Sequence, residues 1–314
     1  MKRIILLTLI IVSGWCFLAA QNAASFYNEG VSLLNQGQYQ EAAEQFKRAA
    51  IEDSTHLEAR LGLAQAYFKL SQWENAEIAL KEARDLSPDN PALLDMMAKV
   101  KYMLKKYEES AALLEELSVK DPQPDNLSLL GNAYYRADKG TKAIRAFERS
   151  LEAGNRNTGD YRILASLYYQ EFKQKKDKND LKRSLSILDQ AVSIKPEPDT
   201  YYFKGRYAYF SKELDTAREA LTEALTLDPG HTDALYYLTR TLFKLHEYDE
   251  ALATGRKLIN RSQNSKYYAL LGDICRENGD NLSALDYYKQ GATYSDKTGQ
   301  YCAQYYEYLN QPKQ

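Results

Sequence analysis

The side chains best suited to binding chemistry are arginines that lie among aromatic residues at helical spacing. Residues four and three apart on an α-helix share one face. A guanidinium pairs with a carboxylate through two parallel hydrogen bonds, and aromatic side chains bury a large area in interfaces. Two segments show this spacing: Tyr202, Arg206 and Tyr209, and Tyr236, Arg240 and Phe243. They predict a surface for a protein or peptide that offers Asp, Glu or a free C-terminal carboxylate.

Patterns typical of catalysis do not occur in this sequence. The glycines form neither a GxGxxG motif nor a phosphate-binding loop, and no nucleophile stands in a context that suggests an activating base. The histidines His56, His231 and His246 fall at predicted turns, where we expect exposed turn residues and not metal ligands. Lys plus Arg number 41 and Asp plus Glu 43, a net charge of -2 that does not favour nucleic-acid binding. The sequence predicts no enzyme, cofactor or small-molecule substrate.

The first twenty residues have the pattern of an export signal. Met1, Lys2 and Arg3 precede an apolar run from Ile4 to Ala20. This predicts a secretory signal peptide over residues 1–20, cleaved after Ala20. An uncleaved membrane anchor is the alternative; lipid attachment at Cys16 is disfavoured because a bulky residue precedes it. Either way, residues 21 onward are expected in the periplasm or outer envelope of a bacterium, and membrane contact is expected only through an uncleaved N-terminus.

Small residues recur at two positions with a period close to 34. Two antiparallel helices approach closely only where the side chains at their crossing are small. The first position, the eighth of each unit, carries Gly30, Ala64, Ala98, Gly131, Ala165, Gly205, Thr239 and Gly272. The second, the twentieth, carries Ala42, Ala76, Ser110, Ala143, Ser184, Ala217, Ala251 and Ala284. Repeated pairs of antiparallel helices are therefore expected.

Larger residues occupy the twenty-fourth position, and prolines follow near the thirty-second, where they end the second helix. The large residues are Phe46, Leu80, Leu114, Phe147, Leu188, Leu221 and Tyr288, with Gly255 as the exception. The pattern resembles the tetratricopeptide repeat (TPR) family, with eight units over residues 21–298. The units start near residues 23, 57, 91, 124, 158, 198, 232 and 265.

The resemblance implies an all-α, right-handed superhelical solenoid of antiparallel helix pairs. Residues 299–314 resemble the capping helix that covers a last repeat. An insertion at 173–180 falls between the two helices of the fifth unit and is expected to lengthen a surface turn.

In such a solenoid the first helix of each pair lines the concave side, and positions 5, 9 and 12 of the unit face the groove. Those positions give the candidate binding residues Tyr102, Asn132, Tyr135, Arg162, Tyr169, Tyr202, Arg206, Tyr209, Tyr236, Arg240 and Phe243. Packing between neighbouring helices is an equal explanation for the aromatic row at position 12. The function expected from these features is a non-enzymatic scaffold or adaptor of the cell envelope.

Two alternatives to this function remain open. The tyrosine-rich C-terminal helix could drive self-association of a structural protein, and the chain could serve as an accessory subunit of an envelope enzyme. Beyond the predicted signal peptide, Cys275 and Cys302 could form one disulfide in an oxidising compartment or remain two half-buried thiols.

Overall fold

The structure is a computed structural model that describes residues 21–311. The predicted export segment, residues 1–20, lies outside this range. Within the described residues α-helices are the only regular secondary structure, which confirms the predicted all-α class. None of these helices combines the length and apolar composition needed to span a membrane.

The chain divides into two compact units, and the first ends at Asn155. Its helices pack consecutively as antiparallel pairs. They are residues 21–35 (α1), Tyr39–Glu52 (α2), Leu57–Lys69 (α3), Trp73–Leu86 (α4), Pro91–Met103 (α5), Tyr107–Lys120 (α6), Pro124–Arg136 (α7) and Gly140–Glu152 (α8).

The second unit begins at Arg156 and repeats this arrangement. Its helices are Thr158–Lys175 (α9), Lys178–Ile194 (α10), Pro198–Ser211 (α11), Leu214–Leu227 (α12), Thr232–Lys244 (α13), Tyr248–Arg261 (α14), Ser265–Glu277 (α15), Asn281–Gly291 (α16) and Lys297–Asn310 (α17). Helix α17 packs against both α15 and α16, as a capping helix does.

The core of each pair depends on complementary volumes at the eighth and twenty-fourth positions. Where the eighth residue is Gly131 or Gly272, the twenty-fourth is a fully buried aromatic, Phe147 or Tyr288. A methyl group added to Gly131 would lie 2.7 Å from the Phe147 ring, and one added to Gly272 would lie 2.6 Å from the Tyr288 ring. The glycines therefore make room for the rings.

The seventh unit reverses this arrangement. Thr239 stands at the eighth position, buried, and its hydroxyl donates to the Leu235 carbonyl at 2.8 Å. Gly255 stands at the twenty-fourth, and an added methyl group there would lie 3.2 Å from Thr239 and 2.5 Å from Leu271. The two departures from the sequence pattern thus compensate each other, because the larger residue has moved to the other helix.

Two histidines are helix caps, which corrects the expectation that all three are exposed turn residues. The Nδ1 atom of His56 accepts from the Ala59 N–H at 3.3 Å, and that of His231 accepts from Ala234 at 3.2 Å. Their side chains are only 18% and 14% exposed. A capping side chain accepts a hydrogen bond from one of the backbone N–H groups that the first helical turn leaves unpaired.

The expectation that residues 173–180 lengthen a surface turn is wrong. The structure extends both helices of this pair and leaves only Lys176 and Asp177 between them. Helix α9 has 18 residues and α10 has 17, against 13 or 14 in most other helices. Lys and Gln favour helix, and the Asp177 side chain accepts from the Asn179 N–H at 2.9 Å to cap α10. The inserted residues are largely exposed.

Candidate functional site

The first helices of the pairs form one surface of the second unit. Helix α9 contacts α11, α11 contacts α13, and α13 contacts α15. Helices α10, α12 and α14, the second members of these pairs, make no comparable contacts with one another. Because the first helices lie closer together, their outward side chains converge, whereas those of the second helices diverge.

Two arginines and a lysine lie among tyrosines on this surface. The Arg240 guanidinium carbon lies 4.9 Å from the centre of the Tyr209 ring, 5.4 Å from Tyr236 and 5.9 Å from Tyr237. The Lys244 ammonium lies 4.0 Å from the Tyr209 ring centre. A cation near the face of an aromatic ring is held electrostatically and keeps its other donors free for a ligand. The tyrosine–arginine cluster comprises Arg206, Tyr209, Tyr236, Tyr237, Arg240 and Lys244.

Arg206 occupies the inner end of the cluster. Its guanidinium carbon lies 5.7 Å from the Tyr237 ring, and its Nε atom is buried without a hydrogen-bond partner. Burial raises the pKa of the neighbouring Tyr202 to about 12 and also raises that of Tyr236. These hydroxyls therefore stay protonated at neutral pH and add no negative charge that would neutralise the arginines.

A cavity of about 380 Å³ opens beside the cluster. Its wall contains the cations Arg240, Lys244 and Lys266 and one carboxylate, Asp273. The Oδ1 atom of Asp273 already accepts from the hydroxyls of Tyr288 and Tyr301, each at 2.7 Å. Positive charge therefore dominates the cavity. Within residues 21–311, no carboxylate lies within ion-pairing distance of Arg206 or of these three cations.

The structure brings six of the predicted site residues to one region, on α11 and α13: Tyr202, Arg206, Tyr209, Tyr236, Arg240 and Phe243. Sequence reasoning missed Tyr237 and Lys266. Tyr237 is the sixth residue of its unit and Lys266 the second of the next, so neither belongs to the positions that were expected to face the groove. The cavity combines α11, α13, α15 and α17, a combination that the spacing within single helices does not reveal.

Three predicted residues, Tyr102, Asn132 and Tyr135, belong to the first unit. The Tyr102 ring packs edge-on against Tyr107 with 5.4 Å between ring centres, and the Asn132 amide donates to the Ser128 carbonyl at 3.0 Å. Tyr135 is 36% exposed. Tyr102 and Asn132 therefore have local packing or hydrogen-bonding roles, and Tyr135 keeps an exposed ring.

The aromatic row at position 12 does not form one exposed stripe. Tyr169 and Tyr209 are 8% and 2% exposed, and Tyr169 stacks on Tyr207 at 4.3 Å. These rings pack between neighbouring first helices. Tyr209 nevertheless presents its face to Arg240 and Lys244, so it contributes to both packing and the cluster.

Arg162, which was also predicted to bind the carboxylate of a partner, already pairs with a carboxylate of this protein. Its Nη1 atom lies 2.5 Å from Oε2 of Glu197 and 3.2 Å from the Thr200 hydroxyl. The same Glu197 oxygen accepts from the Thr158 hydroxyl at 2.8 Å, and Lys195 lies 2.7 Å from Oε1. Arg162 therefore ties α9 to the start of α11.

This network makes stability depend on acidity. Hydrogen bonds from Lys195, Thr158 and Arg162 lower the pKa of Glu197 to about 2. A carboxylate whose pKa is lowered in the folded state stabilises the fold at pH values above its unfolded-state pKa. This contribution is lost as the pH falls through the folded-state pKa. We expect Glu197→Gln to lower the urea midpoint near neutral pH and to approach the native protein only below about pH 2. An equal difference at both pH values would contradict this assignment.

The C-terminal helix, α17, packs against α15 and α16. Tyr305 stacks on the buried Tyr288 with 5.3 Å between ring centres, and Tyr301 donates to Asp273. Tyr308 is 69% exposed.

Cys275 and Cys302 are free, fully buried thiols, so the structure does not contain the disulfide considered from the sequence.

Comparison with known proteins agrees with this architecture. Models described as tetratricopeptide repeat match residues 33–100, 96–158 and 211–274. The TPR repeat-containing protein MJ1428 of Methanocaldococcus jannaschii is 22% identical over 271 residues, which cover 82% of this chain and 47% of that protein. YpiA of Bacillus subtilis is 23% identical over 271 residues, which cover 76% and 63%. The chain thus spans about half to two thirds of the length of these relatives.

Solved structures share the fold. The C-terminal part of a TPR repeat-containing protein from Cytophaga hutchinsonii superposes with a TM-score of 0.62 at 16% identity, over 77% of this chain and 98% of that one. PilF of Pseudomonas aeruginosa gives 0.55 at 19% identity, over 71% and 99%. YrrB, described as a TPR protein with an unusual peptide-binding site, gives 0.54 at 19% identity, over 62% and 97%. The matched repeats and the paired helices establish that this chain belongs to the tetratricopeptide repeat family.

Proposed function

We propose that this protein is an exported, non-enzymatic scaffold that binds an acidic segment of a partner protein at the tyrosine–arginine cluster. The TPR fold is typical of protein–protein interaction modules, and the proteins that share it are typically non-catalytic. The export part of the proposal rests on residues 1–20 of the sequence.

The observation that carries the binding proposal is the unneutralised charge beside the cavity. Arg240, Lys244 and Lys266 line the same cavity, and Asp273, the one carboxylate among the described residues of that lining, accepts hydrogen bonds from two tyrosine hydroxyls. Charge-assisted hydrogen bonds to a carboxylate are roughly twice as strong as neutral ones. The tyrosine rings add apolar area around the cations, so a carboxylate on a peptide chain fits better than a free inorganic anion.

A peptide titration tests the binding proposal. The probes are a short fluorescein-labelled Glu-rich peptide and a C-terminally amidated Gln-rich peptide of equal length, added to the full chain. We expect the Glu-rich peptide to bind and Arg240→Gln with Lys244→Gln to weaken it by about tenfold or more, the loss of one charged hydrogen bond. Fluorescence anisotropy measures both affinities.

Matched changes elsewhere provide the control. Lys257→Gln with Lys289→Gln removes the same charge from exposed sites on α14 and α16. This double variant should bind the Glu-rich peptide as the native chain does. Equal binding of the two peptides, or equal loss in both double variants, would refute a specific site at the cluster.

The export proposal has its own measurement. A tagged chain expressed in a bacterium should appear in the periplasmic fraction, and N-terminal sequencing should find Gln21 as its first residue if the signal is cleaved. Full-length protein in the membrane fraction would indicate the anchor. Protein retained in the cytoplasm would refute export.

A further inference from the structure

A second groove lies in the first unit, above α3 and between α2 and α4. It encloses about 360 Å³. Its walls are formed by Lys47, Ala50, Ile51, Arg60, Leu63, Tyr67, Asn75, Ile78, Ala79 and Glu82. The groove is independent of the tyrosine–arginine cluster, since every one of these residues belongs to the first unit.

Arg60 is out of place at the floor of this groove. It is the fourth residue of its repeat, a position that packs inward. At the same position the other seven units carry Phe26, Leu94, Leu127, Tyr161, Tyr201, Leu235 and Tyr268. A charged residue therefore replaces an apolar or aromatic one at a position whose neighbours bury it.

The surroundings of Arg60 leave its charge poorly compensated. Its side chain is 11% exposed, and its Nε and Nη1 atoms are buried without a hydrogen-bond partner. The nearest carboxylate oxygen, Oε2 of Glu82, stands 3.6 Å from Nε, beyond hydrogen-bonding distance, on a side chain that is 58% exposed. Burial of a charge is costly unless the charge is paired and hydrogen-bonded. An incoming carboxylate would supply that pairing, and Lys47 at the groove wall would attract it.

The sides of the groove favour an aliphatic neighbour for that carboxylate. Ile51 on α2 is 70% exposed and Ile78 on α4 is 57% exposed, and both line the same cavity as Leu63 and Tyr67. Exposed isoleucines on both sides of a buried cation form an apolar slot with a charged floor. The arrangement complements a side-chain pair in which one group is acidic and the next is aliphatic.

We infer that this groove is a second docking site, whose occupant is a partner peptide segment that carries a carboxylate next to aliphatic side chains. The carboxylate pairs with the part of the Arg60 guanidinium that faces the groove. The aliphatic groups cover Ile51 and Ile78. One chain can thereby hold two acidic segments, one in each unit.

The test uses the full chain with Arg240→Gln and Lys244→Gln, so that the cluster in the second unit does not contribute. The probes are a short labelled peptide of alternating Leu and Glu and its Leu and Gln counterpart. We expect the Glu peptide to bind at least about tenfold more tightly, as for one charge-assisted hydrogen bond. Arg60→Met keeps the aliphatic stem and should remove this preference, whereas Ile78→Ser should weaken both peptides.

The control is Val119→Ser, which changes another exposed apolar residue of the first unit, 85% exposed on α6. It should leave both affinities unchanged. Arg60→Met should also fold at least as stably as the native chain, because it removes a poorly paired buried charge. Absence of Glu-peptide binding, equal binding of the two peptides, or binding that survives both Arg60→Met and Ile78→Ser would overturn the inference. An Ile78-dependent increase in mass with concentration, in place of peptide binding, would assign the groove to a second copy and overturn it as well.

Discussion

Replacing Phe147 with alanine is expected to lower the free energy of unfolding of the first unit by about 3–5 kcal/mol. The Phe147 ring is fully buried and lies against Gly131, which has no side chain to fill the space, so loss of the ring leaves a cavity. Urea denaturation followed by circular dichroism measures the loss, and hydrogen exchange should place it in α7 and α8. Val119→Ala, at a site that is 85% exposed, should change stability by less than about 0.5 kcal/mol.

The pairing of volumes predicts a coupling as well. Gly131→Ala alone should destabilise by about 1–3 kcal/mol, because its new methyl group meets the ring. Combined with Phe147→Leu it reproduces the Ala and Leu pairing of the second, third and fifth repeats in the sequence. The double variant should therefore lose less than the sum of the single losses, by about 0.5–3 kcal/mol. Simple additivity would contradict the proposed complementarity.

Ending the chain at Asp296, which removes α17, is expected to make the protein self-associate. Cys302 of α17 covers Gly291, and Tyr305 stacks on the otherwise buried Tyr288. Exposing each large side chain costs about 1.5–3 kcal/mol, and the uncovered face of α15 and α16 would seek another surface. Light scattering coupled to size-exclusion chromatography would show a larger mass at higher concentration, and the melting temperature should fall.

The same deletion separates capping from self-assembly through the tyrosine-rich helix. If α17 held copies of the chain together, its removal would yield smaller particles than the native protein. Tyr308→Ser changes an exposed tyrosine of the same helix and should alter stability by less than about 0.5 kcal/mol. A smaller mass in the truncated chain would reject the capping role.

The fold class was predictable because it depends on local and periodic features. Small residues such as Ala42 and Ala76 mark helix crossings wherever they recur, and a proline such as Pro88 stops a helix irrespective of its surroundings. The compensation between Thr239 and Gly255 could have been found in the sequence, since each departs from the pattern in the same repeat. The helical continuation through residues 173–180 could not, because lysine-rich segments suit both turns and exposed helices.

The binding surface was less predictable, since it depends on contacts between distant residues. Arg162 lies on the same predicted helix face as Arg206, yet Glu197, 35 residues away, pairs with its guanidinium. Tyr169 and Tyr135 share a repeat position but differ in exposure, 8% against 36%, because the packing of the neighbouring first helices differs. Position within a repeat indicates which face a residue occupies. Its availability to a ligand is set by the next helix.

The buried thiols give the last helices of the chain an intrinsic reporter of motion. Burial raises the pKa of both Cys275 and Cys302 to about 11, and neither side chain is accessible in the packed structure. An alkylating reagent attacks the thiolate, so each cysteine can react only after α15, α16 and α17 separate. The rate of alkylation therefore reports how often α15, α16 and α17 separate. A ligand that holds these helices together would slow alkylation without touching either sulfur.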